Sequence, residues 1–321
     1  MVLNYTENDN EVYRYIQLMT IGLFTCLNIV IGSVGNALVF LTVYSIPSLH
    51  TVSNVLLASL ACSDFLLAVF GLPLAAYANV RSGVNIRDTS IKADILYIPV
   101  YVSFPVSAWH LLFISLDRYF AISYPYKYQA RATIQRTFYL IIFSWVIGIT
   151  WGLVPLFGGL EIDEDCLSDI CRTLNNSSLR VHEIMSSAFV ITVFIAIVLI
   201  YARVFSIVKR LSFNVRDIPR SNSIPIPRNT IEQASLRNTY IKVTAMVVGG
   251  FFISWLPMVV YMILNTEYKP HNVSLNILKT LAECTSLCSI SLNPLIYNFM
   301  LKSFRDGFRK TIRKVMGSCT N

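Results

Sequence analysis

The chain has 321 residues, of which 55% are hydrophobic and 14% charged, and its formal net charge is +8. A soluble globular chain carries about 25% charged residues, so a water-facing surface for this length cannot be drawn from this composition. Nucleic acid is not the implied partner of the positive balance, because Lys and Arg occupy short segments between apolar runs instead of one soluble face.

The first 18 residues are polar and acidic and lack the basic start and small-residue cleavage site of a signal peptide. Residues 1–15 therefore read as a retained extracellular tail. Seven apolar runs follow, near 16–44, 52–79, 94–122, 137–158, 183–209, 239–265 and 276–301. Crossing about 30 Å of hydrocarbon takes about 20 apolar residues in a helix. Inside lipid every backbone N–H and C=O must be satisfied within the element, and barrel strands are only about ten residues long. The expectation is an all-α membrane protein, a seven-transmembrane helix bundle over 16–301.

Charge sets the orientation. The segments 118–136, 203–242 and 302–314 alternate onto one side and hold 18 of the 26 Lys and Arg residues. That side is expected to be cytoplasmic, with the N-terminus outside, the C-terminus inside and the plasma membrane as the location. Four N-x-S/T sequons, at Asn4, Asn175, Asn176 and Asn272, all fall in segments assigned outside, where glycosylation chemistry acts. Residues 211–236, rich in Pro, Ser, Asn and Arg, are expected to form a flexible cytoplasmic loop. In the final segment, 302–321, Phe304, Phe308 and Ile312 recur every four residues among Arg and Lys. That spacing predicts a short amphipathic eighth helix at the inner membrane surface. Cys319 beyond it is either a palmitoylation site or a free cytosolic thiol.

Several polar groups stand where lipid would exclude them. Asp64 is mid-span in the second run, with Asn36 in the first, Ser107 in the third, and Ser289 and Asn293 in the seventh. A carboxylate there must be neutral, paired or ion-bound. It either holds a small hard cation among neutral oxygens or sits protonated in a hydrogen-bond network. No other metal site is expected, since the seven Cys include no Cys-x-x-Cys pair and the four His are far apart. Asp117 and Arg118 close the third run, and Tyr201 and Tyr297 lie near the same depth, which suggests a polar cluster able to rearrange. Pro257 and Pro294 each remove a helix hydrogen bond and are expected kink points. His110 is read as a packed, hydrogen-bonded histidine without a catalytic partner.

Six motifs in order, GNALV at 35–39, LACSD at 60–64, DRY at 117–119, Trp145, SWLP at 254–257 and NPLIY at 293–297, resemble those of the rhodopsin-like G-protein-coupled receptors. The likeness spans nearly the whole chain and implies a receptor, not an enzyme, for an extracellular ligand. Its implied partners are a heterotrimeric G protein, arrestin, a receptor kinase and membrane lipids. Arg118, followed by Tyr119, looks like the arginine that meets the G protein when the sixth helix swings out, with Asp117 as its restraint. Tyr201 and Tyr297 match tyrosines that approach it in the active state, and Pro257 and Pro294 match the bend points. Asp64, Ser107, Ser289 and Asn293 match the family's sodium pocket, so Na+ is an implied allosteric ion and no other cofactor is.

The departures are specific. Ala93 occupies the place of the usual third-helix cysteine, which leaves Cys166 and Cys171 able to bond to each other. Val193 replaces a common proline, Ser254 a common cysteine, and Arg237 stands where some members carry an acid. Receptors for melanocortins, sphingosine phosphate and cannabinoids resemble this chain in lacking the usual bridge and fifth-helix proline.

The resemblance also outlines a ligand pocket from Tyr97, Val100, Tyr101, Phe104, Trp255, Met258, Val259, Met262, Glu283 and Leu287, although ordinary helix packing is the better account of each apolar one. Leu287 replaces the retinal lysine of opsins, and Val100 replaces the amine-pairing aspartate of amine receptors. Glu283 needs a partner inside a span, either a cationic ligand or Lys279. With Glu161, Asp163, Glu164, Asp165 and Asp169 in the second outer loop, it favours a cationic amine or small peptide over a lipid ligand. A multi-span transporter or channel is the competing class, but paired repeats with broken helices are not seen.

Overall fold

The computed structural model describes residues 7–83, 93–157, 177–216, 228–264 and 273–318. Among them the chain is helical throughout, without a strand. The first span is Glu7–Ser45. The second runs as Val52–Leu66, passes through a π turn at Leu67–Gly71 and resumes as Leu72–Gly83. The third is Ala93–Ser123, the fourth Ile134–Phe157, the fifth Ser177–Arg216, the sixth Arg228–Leu264 and the seventh Val273–Met300. The amphipathic helix is Lys302–Ser318. Asn4, Cys166, Cys171, Asn175, Asn176, Asn272, Cys319 and the acidic stretch 161–169 lie outside the described residues.

Six of these rods are long and apolar enough to cross a bilayer. The seventh, 28 residues long, is more polar because it carries Lys279, Glu283 and Asn293. Three helices also outrun their apolar cores. The first begins at Glu7, the fifth continues to Arg216 and the sixth already starts at Arg228. Only 217–227 of the expected flexible loop is thus free of described helix. The reason is physical: apolarity must stop where hydrocarbon stops, whereas helix propagation adds one backbone bond per residue into water as well.

The bundle reverses the pattern of a soluble protein. Phe205, Ile253 and Leu199 are exposed, whereas Asn36, Ser63, His110 and Ser144 are fully buried. Lipid is as apolar as leucine, so helices associate through close packing and interhelical hydrogen bonds. Small residues permit that approach. A Cβ at Gly152 would lie 2.9 Å from the Val102 backbone nitrogen, and one at Gly148 2.2 Å from Val106 Cγ2, which seats the fourth span on the third. A Cβ at Gly35 would lie 2.6 Å from Pro294 Cγ, which brings the first span against the bend residue of the seventh.

Local signals set the ends. Thr51 caps the second span by accepting from Asn54 N–H at 3.3 Å. Pro125 opens the short helix Pro125–Arg131 after the third span. The Phe304–Phe308–Ile312 stripe divides its work: Phe304 and Phe308 are buried, with Phe304 packed at a tilt on Tyr297 at 5.6 Å, and only Ile312 is left exposed. A buried hydrogen bond of 3.2 Å between Thr42 and Thr311 fastens this helix to the first span.

Candidate functional site

Three layers of polar and aromatic groups run along the bundle interior. In the layer farthest from Arg118, Phe104 packs on Trp255 with ring centroids 4.2 Å apart, and Phe251 supports Trp255 at 5.9 Å. Val259 is buried in the same main core, Met258 is half-buried and Met262 lies further along the sixth helix. Tyr97 and Tyr101 pack together at 6.3 Å, and Tyr101 meets His182 edge-on at 5.3 Å. Val100 and Leu287 instead pack against a separate cluster of Leu67, Ala68, Leu72 and Ile290. The expected pocket residues therefore form different walls, not one stripe. Glu283, one turn beyond Leu287 on the seventh helix, pairs with Lys279 at 3.7 Å.

Residues that the sequence did not single out complete this layer. His182 Nε2 donates to the Trp151 carbonyl at 3.2 Å, and Trp151 Nε1 donates to Ser186 Oγ at 3.1 Å. The signal available was a serine and a histidine in an apolar run, since buried polar groups are nearly always partnered.

The middle layer centres on Asp64, buried at 4% exposure. Its carboxylate accepts from Asn293 Nδ2 at 2.8 Å and from Ser107 Oγ at 3.3 Å. Ser289 is also buried but donates its hydroxyl to the Ser286 carbonyl at 2.7 Å, which leaves its oxygen as an acceptor. Two more buried oxygens, Ser63 Oγ and Asn36 Oδ1, have no hydrogen-bond partner among the described residues. One carboxylate with surplus neutral oxygens is the donor chemistry of a small hard cation, so these residues fit Na+. The Asn36 amide holds the first span to the seventh by donating to the Ile290 carbonyl at 3.0 Å, and Ser291 Oγ donates to Asn28 Oδ1 at 2.7 Å.

His110 is partnered, as expected. Nδ1 lies 2.7 Å from the Val106 carbonyl, which can only accept, so Nδ1 carries the proton. Nε2 then accepts from Ser59 Oγ at 2.8 Å, and Ser59 in turn accepts from Trp145 Nε1 at 3.1 Å. The chain of donors closes without a proton to spare and ties the second, third and fourth spans together.

At the Arg118 end, the Asp117 carboxylate is held by three groups. Arg118 lies 3.0 Å from Oδ2, Ser53 Oγ donates to the same oxygen, and Tyr128 hydroxyl donates to Oδ1 at 2.6 Å. Burial, reinforced by the Asp117 carboxylate, pushes the Tyr128 phenol well above its usual range, so it remains a donor. Tyr201 sits beside Ser115 and Thr244 with Arg118 in electrostatic range. Tyr297 is buried at 1% exposure, and its hydroxyl has no hydrogen-bond partner among the described residues. Tyr119 packs instead on Phe120 and Tyr124, at 5.4 and 6.4 Å. Pro257 and Pro294 both lie inside continuous helix.

A narrow cavity lies between these groups, lined by Leu57, Ile114, Arg118, Val243, Val247 and Tyr297. Its volume open to the centre of a water molecule is about 10 Å³, about one water's worth. The arrangement is a narrow cleft lined by a cation and one phenol, in contact with the sixth and seventh helices.

The family model described as 7 transmembrane receptor (rhodopsin family) matches residues 35–297. Among similar curated proteins, trace amine-associated receptor 7f of Mus musculus is 28% identical over 293 residues, covering 88% of this chain and 79% of its own length. Trace amine-associated receptor 7e of Rattus norvegicus is 27% identical over 300 residues, with 89% and 79% covered. Trace amine-associated receptor 9 of Homo sapiens is 25% identical over 291 residues, with 89% and 81% covered.

Proposed function

The chain belongs to the rhodopsin family of seven-transmembrane receptors, and from that premise we propose that it binds an extracellular ligand and answers by activating a heterotrimeric G protein. The observation that carries this reading is the Asp117–Arg118 pair at the narrow cleft, with Tyr297 in its lining and Tyr201 in electrostatic range of Arg118. An agonist acts by binding the open state more tightly than the closed one. Its contacts reach the cleft through Trp255, Phe104 and Phe251, which belong to the same packed core as Val247 and Tyr297. Opening the cleft frees Arg118 for the G protein and brings the tyrosines toward it. Arrestin and a receptor kinase are the partners expected at the same face.

The N-terminus is extracellular and the C-terminus cytoplasmic, at the plasma membrane, a reading supported by the clustering of Lys and Arg in the segments beside Arg118. Asp64 with Ser107, Ser289 and Asn293 would hold Na+, which would supply the counter-charge that a buried carboxylate requires and so favour the closed state. The ligand is a cationic amine or a small peptide. Trace amines appear in the names of the similar receptors, and Glu283 is a half-buried carboxylate in the part of the bundle away from Arg118.

The test is guanine-nucleotide exchange on a purified heterotrimer with the receptor in lipid vesicles. Exchange is the expected result, and solute flux without exchange would overturn the proposal. For the ligand class, Glu283→Gln is expected to weaken cationic agonists at least tenfold, about 1.4 kcal/mol. Unchanged potency would remove the cationic reading and leave the receptor reading standing.

A further inference from the structure

The Lys279–Glu283 pair is more than a surface ion pair. The two side chains are only 19% and 23% exposed, they are one helical turn apart, and Nζ lies 3.7 Å from Oε1. Leu287, the next residue of the same stripe, packs against the apolar cluster that also takes Val100. Glu283 thus follows, on the seventh helix, from a cluster in which the third helix contributes only a valine. A carboxylate in such surroundings must be compensated, and the chain supplies the compensation itself.

We propose that Lys279 is a tethered competitor for the cationic group of the ligand: its ammonium occupies Glu283 in the resting receptor, and an agonist ammonium must displace it. This rests on the reading of Glu283 as the ligand's counter-ion. The competition is a matter of mass action. Lys279 is present at a fixed high local concentration one turn away, so every cationic ligand binds with an affinity multiplied by the fraction of Glu283 that the internal pair leaves free. Released from Glu283, the Lys279 ammonium can reach water along its flexible stem. The device sets a threshold: weakly paired cations fail to displace it, and ligands with a second anchoring group succeed. Lys279 is thereby a specificity-determining residue that need not touch the bound ligand.

The experiment measures nucleotide exchange driven by 2-phenylethylamine and, as its uncharged counterpart, 2-phenylethanol, on the full-length receptor in vesicles. Lys279→Met keeps the stem and removes the charge; it is expected to lower the half-maximal concentration of the amine about twofold to fivefold and to leave the alcohol unmoved. Lys279→Arg retains a cation and is expected to stay near the wild type, which separates loss of charge from loss of fold. Lys279→Met combined with Glu283→Gln removes both charges and is expected to lose the gain. Equal amine potency in wild type and Lys279→Met, with Glu283→Gln still damaging, would overturn the competitor role and leave Glu283 as counter-ion. An amine that acts equally with and without Glu283, or on none of the variants, would overturn the reading beneath it.

Discussion

Arg118→Ala is expected to produce a receptor that folds and reaches the cell surface but drives nucleotide exchange at least about 100-fold more slowly, a loss of about 2.7 kcal/mol in the exchange barrier. The two halves of this expectation have separate physical grounds. Removing a buried cation usually strands its partner acid, which is costly. Here Asp117 keeps Ser53 on one oxygen and Tyr128 on the other, so the carboxylate remains hydrogen-bonded without Arg118. The cleft, by contrast, loses the one cation among the described residues that line it, since the other walls are aliphatic or hydroxyl-bearing. Radioligand or antibody binding at the surface checks the fold, and exchange on the purified heterotrimer checks the loss. Exchange within twofold of the wild type would show that Arg118 is a boundary anchor and not a contact.

The second large effect concerns Asp64. With NaCl replaced by KCl at constant ionic strength, the wild-type receptor is expected to bind agonist about tenfold more tightly, within the usual range of allosteric coupling, because removing the ion releases the closed state. Asp64→Asn is expected to bind agonist equally in both salts. The substitution is close in shape: an asparagine oxygen can still accept from Asn293, and its amide can donate to the Ser107 hydroxyl oxygen, so packing changes little. What it removes is the charge that makes a cation necessary. A wild type indifferent to the salt would return Asp64 to the role of a hydrogen-bonded group, and a variant still sensitive to sodium would place the ion elsewhere.

The architecture was legible because a bilayer demands one simple thing, length of apolar helix; six helices meet it outright, and the seventh run is apolar enough to be found despite its polar residues. Helix ends were less legible, since the rule that finds hydrocarbon has nothing to say once the helix passes into water; Arg216 and Arg228 are helical for that reason. Of the interior residues, Asp64, Asn293 and Ser107 come together because a buried carboxylate collects donors. The grip of Ser53 and Tyr128 on Asp117 was not legible, as each is an ordinary residue in its own segment and only the fold brings it there. The splitting of Val100 from Phe104 has the same origin: four residues apart on one helix, they face different neighbours across a crowded bundle. Trp151 and His182 were hidden by their spacing, because two polar aromatics on different helices carry no local pattern.

The central claim, that the outer layer and the Arg118 cleft are coupled through movement of the sixth helix, is tested most directly by a distance. Spin labels on Tyr124→Cys, just past the third span, and Lys242→Cys, one residue before the cavity-lining Val243, in a variant whose native cysteines are replaced, report the width of the cleft. The distance is expected to lengthen by several ångströms when nucleotide-free G protein binds and to shorten again when Na+ is added without it. A single distribution that neither addition changes would contradict the account.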